Sequence, residues 1–260
     1  MKSTENLYGN SLHAQQQERG SFTNEPFATE TCLFAKLGQM DYVKAWDAQR
    51  AIARRREHCS IPDSLILLEH PHTYTLGRRG KIADVLVEGA TLKQMGVQIC
   101  YVDRGGQVTY HGPGQLVAYP IVDLRPLGGP ATYVRTLEAV LMNTFMDFGI
   151  ETHRKKGLVG IWVGDAKISS IGIKVSQGIT THGVAINVNP DLSYFRNIVP
   201  CGIENMPVTS LEKLLGTPVS LEKVAKSIVH HFGILFGRTM EESTVFQLLG
   251  SSVGPLPKPS

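Results

Sequence analysis

The stretch Arg104-Gly105-Gly106-Gln107-Val108-Thr109-Tyr110-His111-Gly112-Pro113-Gly114-Gln115 holds four glycines and one proline in twelve residues. Missing Cβ atoms permit tight turns and expose backbone N–H groups, so something approaches this backbone closely. Neither the G-x-x-x-x-G-K-[ST] order of a phosphate loop nor the G-x-G-x-x-G spacing of a dinucleotide fold is present. Two readings stay open: a tight hairpin whose glycines serve geometry, or a loop laid against a ligand. The β-rich runs Val97–Val102 and Gln115–Leu124 flank it on either side.

Outward from that stretch the pattern alternates between the two periods. Tyr42, Ala45, Trp46, Ile52 and Ala53 recur at helical spacing, ending at Arg54, Arg55 and Arg56, which predicts a helix over 40–57. A buried strand is expected at Leu65-Ile66-Leu67-Leu68. A second helix is expected over 132–148, with Val134, Leu137, Leu141, Phe145 and Phe148 on one face. Strands follow at Val159–Val163, Ile168–Val175 and Ile179–Val188, then a capping box at Thr209-Ser210-Leu211-Glu212 and a final amphipathic helix from Leu221 to Leu235. Strict β-α-β alternation is absent, so the expected class is α/β (α+β), with a mixed or antiparallel sheet flanked by helices. Residues 1–28 and 250–260 read as tails around one catalytic domain at 29–249, a size that needs no metal or disulfide staple.

The chain has 26 Lys+Arg against 23 Asp+Glu, and no basic run exceeds three residues, which argues against nucleic-acid binding. No apolar run approaches the ~18–20 residues of a membrane span, and no secretory signal opens the chain. Glu5, Glu18 and Glu25 speak against an acid-poor transit peptide, so a cytoplasmic protein is expected, as a monomer.

Three segments carry candidate chemistry. Lys167 opens an apolar strand, where burial disfavours a charged amine and suits acid/base work; an amine that reaches water is the alternative. Cys201, in Pro200-Cys201-Gly202, sits on a constrained loop that suits a nucleophile, with an inert buried thiol as the alternative. Cys32, Cys59 and Cys100 lie in or beside elements read as core and are taken as structural. His70, His72, His111 and His182 show no metal-ligand register, so no metal is expected.

Taken in order, the glycine-rich stretch, Gly164-Asp165-Ala166-Lys167-Ile168-Ser169-Ser170-Ile171-Gly172, His182-Gly183 with Asn187-Val188-Asn189, and Pro200-Cys201-Gly202 resemble the octanoyltransferase family, also called lipoyl(octanoyl) transferase or lipoate-protein ligase B. The resemblance runs from about Leu65 to Ile228 and includes Thr75-Leu76-Gly77. It implies a lipoate/biotin transferase-like fold and transfer of an octanoyl group from the phosphopantetheine thiol of acyl carrier protein to a lysine of lipoyl domains. Those domains belong to 2-oxoacid dehydrogenase E2 subunits and glycine cleavage H protein. By the same resemblance Cys201 is the acyl-carrying nucleophile and Lys167 the proton carrier, with no ATP or other cofactor. Arg104, Gly105, Gly106, Gln107, Val108, Thr109, Tyr110 and His111 would line the acyl site with Ser170, Ile171, Gly172, Gly183, Val184 and Ala185. His111 and His182 would orient the reacting groups. His72 stands where relatives often carry a proline, which touches only local loop shape.

Three rivals are distinguishable. An ATP-dependent lipoate ligase would carry an R-R-x-S-G-G-G-x-V-x-H-D type stretch rather than Asp103-Arg104-Gly105-Gly106. A non-catalytic binding module would be indifferent to loss of Cys201. A cysteine hydrolase using His182 as base would release free acid.

Overall fold

The computed structural model describes residues 30–200, 203 and 206–250. In chain order its elements are β1 (Glu30–Gln39), α1 (Tyr42–Glu57), β2 (Asp63–Glu69), β3 (Thr73–Leu76), α2 (Gly89–Gln94), β4 (Gln98–Tyr101), β5 (Val108–His111) and β6 (Gln115–Ile121). They continue with α3 (Pro130–Met146), β7 (His153–Lys155), β8 (Leu158–Val163), β9 (Ala166–Ser176), β10 (Ile179–Asn187), α4 (Leu211–Leu215), α5 (Leu221–Phe236), β11 (Arg238–Glu242) and α6 (Val245–Leu249). The described residues form an eight-stranded sheet, ordered β11-β1-β2-β6-β10-β9-β8-β7, and a three-stranded sheet, β4-β3-β5. β1 runs parallel to both its neighbours, and the other pairs of the large sheet are antiparallel. The mixed sheet flanked by helices matches the expected class.

The unbroken apolar run at Leu65–Leu68 is explained by burial on both faces. Alternate side chains of a strand point to opposite faces, and a strand covered on both sides has no polar face to show. Leu65 and Leu67 join Leu137, Leu141 and Phe145 of α3 and Val224, Ile228 and Phe232 of α5. Ile66 and Leu68 pack on the opposite face with Ala45, Ala48 and Ile52 of α1 and with Leu248 and Leu249 of α6. The small sheet builds a third cluster from Tyr74, Leu76, Val108, Tyr110 and Phe195. Gly112-Pro113-Gly114 carries the chain from the small sheet into β6, and the Gly114 N–H donates to Glu69 Oε2 at 2.7 Å, pinning the crossing to the end of β2.

Two sequence expectations are corrected. The cap of α4 is Ser210, whose hydroxyl accepts from the Lys213 N–H, and not Thr209. Thr209 is held instead by a bond from its N–H to the Lys167 carbonyl. Cys59 is exposed rather than structural, because it falls in the turn beyond the end of α1. Strands β1, β3, β5, β7 and β11 and helices α2 and α6 were not anticipated. The expected tails at 1–28 and 251–260 lie outside the described residues. No helix among the described residues is long and apolar enough to cross a membrane.

One charged knot ties the edge of the large sheet together. Asp63, 2% exposed at the start of β2, accepts from Arg56 Nε at 2.8 Å, from Arg238 Nε and Nη2 at 3.0 and 2.9 Å, and from the Asp123 N–H at 3.1 Å. It joins the end of α1, the start of β11 and the exit of β6 at a single carboxylate. Removing one partner of such a cluster strands the others without solvent. Asp63→Ala is therefore expected to lower unfolding free energy by about 3–5 kcal/mol in urea denaturation, with Asp63→Asn losing less.

Candidate active site

β9 and β10 pair in register across Gly172 and Gly183. A Cβ at Gly183 would stand 2.2 Å from the Ala118 carbonyl oxygen, so no larger residue lets β10 lie against β6 here. The Arg104 side chain lies over the facing glycine, with its Cδ 3.0 Å from where a Gly172 Cβ would be. Its guanidinium donates to the carbonyl and hydroxyl of Thr75 at 2.7 Å each and to the Gly105 carbonyl at 2.9 Å. The glycine-rich stretch is not a hairpin, since the strands on either side of it belong to different sheets. Val108–His111 is a sheet strand, and the loop before it borders a cavity.

That cavity measures about 410 Å³, within the range of small-molecule sites. Its wall includes Arg104, Gly105, Gly106, Gln107, Val108, Thr109 and His111, then Lys167, Ser170, Ile171 and Gly172, then His182, Gly183, Val184 and Ala185. Segments up to 81 residues apart in sequence, from Arg104 to Ala185, therefore meet at one place. Tyr110 is the exception and a correction. It is fully buried on the far side, donating to or accepting from His72 Nδ1 at 2.9 Å and stacked on Tyr194. Period-two alternation along β5 puts Tyr110 on the opposite face from Thr109 and His111, and Val108, on Tyr110's face, packs in the same cluster while also touching the cavity from the start of the strand. Cys201 lies outside the described residues; Pro200 and Met206, on either side of it, both line the cavity.

Lys167 is 4% exposed, the least exposed lysine among the described residues. Its backbone is held twice by the chain that follows Cys201. The Lys167 N–H donates to the Pro207 carbonyl at 2.8 Å, and its own carbonyl accepts from the Thr209 N–H at 3.0 Å. The bridge sets the chain six to eight residues beyond position 201 against the strand of Lys167.

The histidines near the cavity are engaged by neighbours that fix their protons. The Met40 carbonyl can only accept, so His70 Nδ1–H donates to it at 2.7 Å and Nε2 accepts from the Tyr119 hydroxyl at 2.7 Å. The Asp103 carboxylate likewise takes the Nε2–H of His182 at 2.8 Å, leaving Nδ1 to accept from Tyr42 at 3.3 Å. His111 Nδ1–H donates to Gln115 Oε1 at 2.8 Å. Burial pushes His70 and His182 down to about 4, the latter against the pull of Asp103, and takes His111 well below its ordinary value. All three rings are neutral at pH 7. His182 also sits in the left-handed backbone region at φ 58°, held by its N–H donating to Gln49 Oε1 at 2.6 Å. Such a conformation costs on the order of 1–3 kcal/mol and recurs at functional sites. Tyr42, Tyr119 and Asp103 were missed as site residues, since an aromatic at helical or strand spacing reads as core. Among the described residues no cluster of three or more His, Cys, Asp or Glu is placed to hold a metal ion.

Residues 41–233 match the lipoyl protein ligase A/B catalytic domain. An octanoyltransferase from Solibacter usitatus is 45% identical over 206 residues, covering 79% of this chain and 93% of the relative. One from Chloroflexus aurantiacus is 48% identical over 204 residues, covering 77% and 92%. The chain belongs to the octanoyltransferase family. It is accordingly an acyltransferase. The fold itself is shared with the bipartite lipoate-protein ligase of an archaeal lipoylation system from Thermoplasma acidophilum, at TM-score 0.65 and 18% identity over 85% of this chain and 91% of that one.

The neutral rings carry a stability consequence. Folded values near 4 for His70 and His182, against about 6.5 unfolded, mean that the unfolded chain binds more protons between those limits. Stability is then level above about pH 6.5 and falls as pH drops toward 4, by on the order of 3 kcal/mol per histidine. Urea denaturation across pH 7 to 4 is expected to show this slope, and a His70→Gln/His182→Gln variant to lessen it, the remainder being carried by His111.

Proposed function

We propose that the chain moves an octanoyl group from the phosphopantetheine thiol of acyl carrier protein to a lysine amine on lipoyl domains, through a thioester on Cys201 with Lys167 as proton carrier. In the first step the Cys201 sulfur attacks the carrier thioester carbonyl. A carbon–sulfur bond forms to Cys201, the bond to the phosphopantetheine sulfur breaks, and that thiol leaves with the proton taken from Cys201 by way of Lys167. In the second step the target amine attacks the Cys201 thioester; Lys167 takes the amine proton and returns it to the departing Cys201 sulfur. One thioester is exchanged for another, so the reaction needs no nucleotide and no cofactor.

The observation that carries the reading is the convergence of buried Lys167 and the two flanks of Cys201, Pro200 and Met206, on one cavity. The wall supports an acyl substrate. Val108, Val117, Val134, Ile171 and Val184 supply apolar surface, which stabilises a bound chain by about 0.8 kcal/mol per buried methylene. The neutral histidines add no charge to repel it. The proposed partners are acyl carrier protein as donor and the lipoyl domains of 2-oxoacid dehydrogenase E2 subunits and glycine cleavage H protein as acceptors, met in the cytoplasm by a monomer.

Intact-mass measurement after mixing with octanoyl acyl carrier protein tests this. The wild-type chain is expected to gain one hydroxylamine-labile octanoyl group, Cys201→Ala to gain none, and a lipoyl domain added afterwards to take the group up. Acylation of the lipoyl domain only with ATP and free octanoate would make the chain a ligase. Release of free octanoate without acceptor would make it a hydrolase.

A further inference from the structure

The pairing of β8 with β9 slips where Lys167 sits. Ile161 lies opposite Ser169, but the next residue, Trp162, lies opposite Lys167, so one residue of β9 is passed over. Directly opposed residues project to the same face of a sheet. The slip therefore brings the Lys167 side chain and the Trp162 ring together, with Nζ 5.0 Å from the ring centroid. Trp162 is 1% exposed and does not line the cavity, whereas Lys167 does. The ring stands behind the amine.

Gly160, two residues back on β8 and thus on the same face, completes the arrangement. A Cβ built there would stand 2.6 Å from Lys167 Cε, 3.2 Å from its Nζ and 2.5 Å from the Ser169 carbonyl oxygen. Its φ of +126° is one that residues with a side chain rarely adopt. The end of the lysine chain occupies the space that any other residue at 160 would fill. An indole face attracts a cation and has a defined direction of approach, and the glycine leaves one lane for the methylenes that carry it. A structural tryptophan needs neither a lysine over its face nor a bare Cα beside it.

We propose that Trp162 and Gly160 are positioning residues for Lys167, fixing the direction in which its amine meets the cavity. The proposal rests on the reading of Lys167 as proton carrier. Neither residue touches substrate; both act through the lysine. Loss of the ring or of the lane leaves substrate binding in place and alters the direction of the amine, so the effect falls on kcat rather than KM.

The test is a kinetic cycle with octanoyl acyl carrier protein and an isolated lipoyl domain as substrates. Trp162→Leu is expected to lower kcat at least tenfold with KM within about threefold of wild type, Trp162→Phe to recover most of that loss, and Gly160→Ala to behave like Trp162→Leu. In a Lys167→Ala background neither Trp162→Leu nor Gly160→Ala should reduce the residual rate further, because the group they position is gone. A loss of equal size in both backgrounds would mean a structural role and overturn the proposal. A Lys167→Ala variant as fast as wild type would instead overturn the proton-carrier reading, and the proposal with it. Should Trp162→Leu fail to fold, fluorinated tryptophans report on the same contact without changing its shape. The chain has two tryptophans, so the series is made in a Trp46→Phe background. A stepwise fall of kcat with each added fluorine is expected, and a flat series overturns the role of the ring.

Discussion

A continuous line of buried hydrogen bonds joins the glycine-rich stretch to Lys167, and the geometry of the cavity depends on it. Arg104 donates to Thr75, the Thr75 hydroxyl meets His111 Nε2 at 3.4 Å, and His111 donates to Gln115. Gln115 donates to Asn187 Oδ1 at 3.0 Å, Asn187 donates to the Thr209 carbonyl at 3.0 Å, and the Thr209 N–H closes on the Lys167 carbonyl. Each member is buried, so each must find its partner inside the protein or lose on the order of 1–3 kcal/mol. No member can turn without breaking the next. The line crosses from the small sheet through β6 and β10 to the strand of Lys167, and holds two walls of the cavity at a set distance.

The same line accounts for residue types that composition alone leaves unexplained. Gln115 must donate to two acceptors, the Tyr110 carbonyl and Asn187, while accepting from His111, a combination only a side-chain amide supplies. Asn187 faces the mirror requirement, accepting from Gln115 and donating to Thr209. A carboxylate in either place would set an acceptor against an acceptor. Depressed histidine protonation follows from the same enclosure, because a ring closed off from water and already bonded at both nitrogens has no partner for a second proton.

Much of this was legible in the sequence, and the limits have physical causes. Elements with an unbroken apolar run or a clear helical stripe, such as Leu65–Leu68 and the face of α5, were found because burial leaves a periodic mark. β1 and β11 were missed because they are partly exposed, with a burial pattern that never settles into alternation. The glycine motif stood out by local composition, whereas the role of Lys167 came only from the family resemblance, since a single lysine at a strand start looks like any solvated one; the cavity borders both. Tyr110 was misplaced because a motif is contiguous in sequence whereas a strand sends neighbouring side chains to opposite faces. Tyr42 and Tyr119 left no mark, since a buried phenol at an apolar position looks like packing until its hydroxyl partner is known. Thr209 read as a cap because capping chemistry is local, and the pairing with Lys167 that claimed it spans 42 residues.

Chain-length selection in such a cavity follows from what its wall is made of. The polar groups around it bond chiefly to one another, and the rings are neutral, so little of the wall can recognise the length of an alkyl chain by charge or hydrogen bonding. Burial alone changes affinity by about 0.8 kcal/mol per methylene, roughly fourfold between adjacent lengths. That gradient also has the wrong sign for an upper limit, because a longer chain always gains. A limit on length must come from contact with a wall that does not yield. His111 and Asn187 belong both to the cavity wall and to the hydrogen-bonded line, so neither yields without breaking bonds to both of its neighbours there.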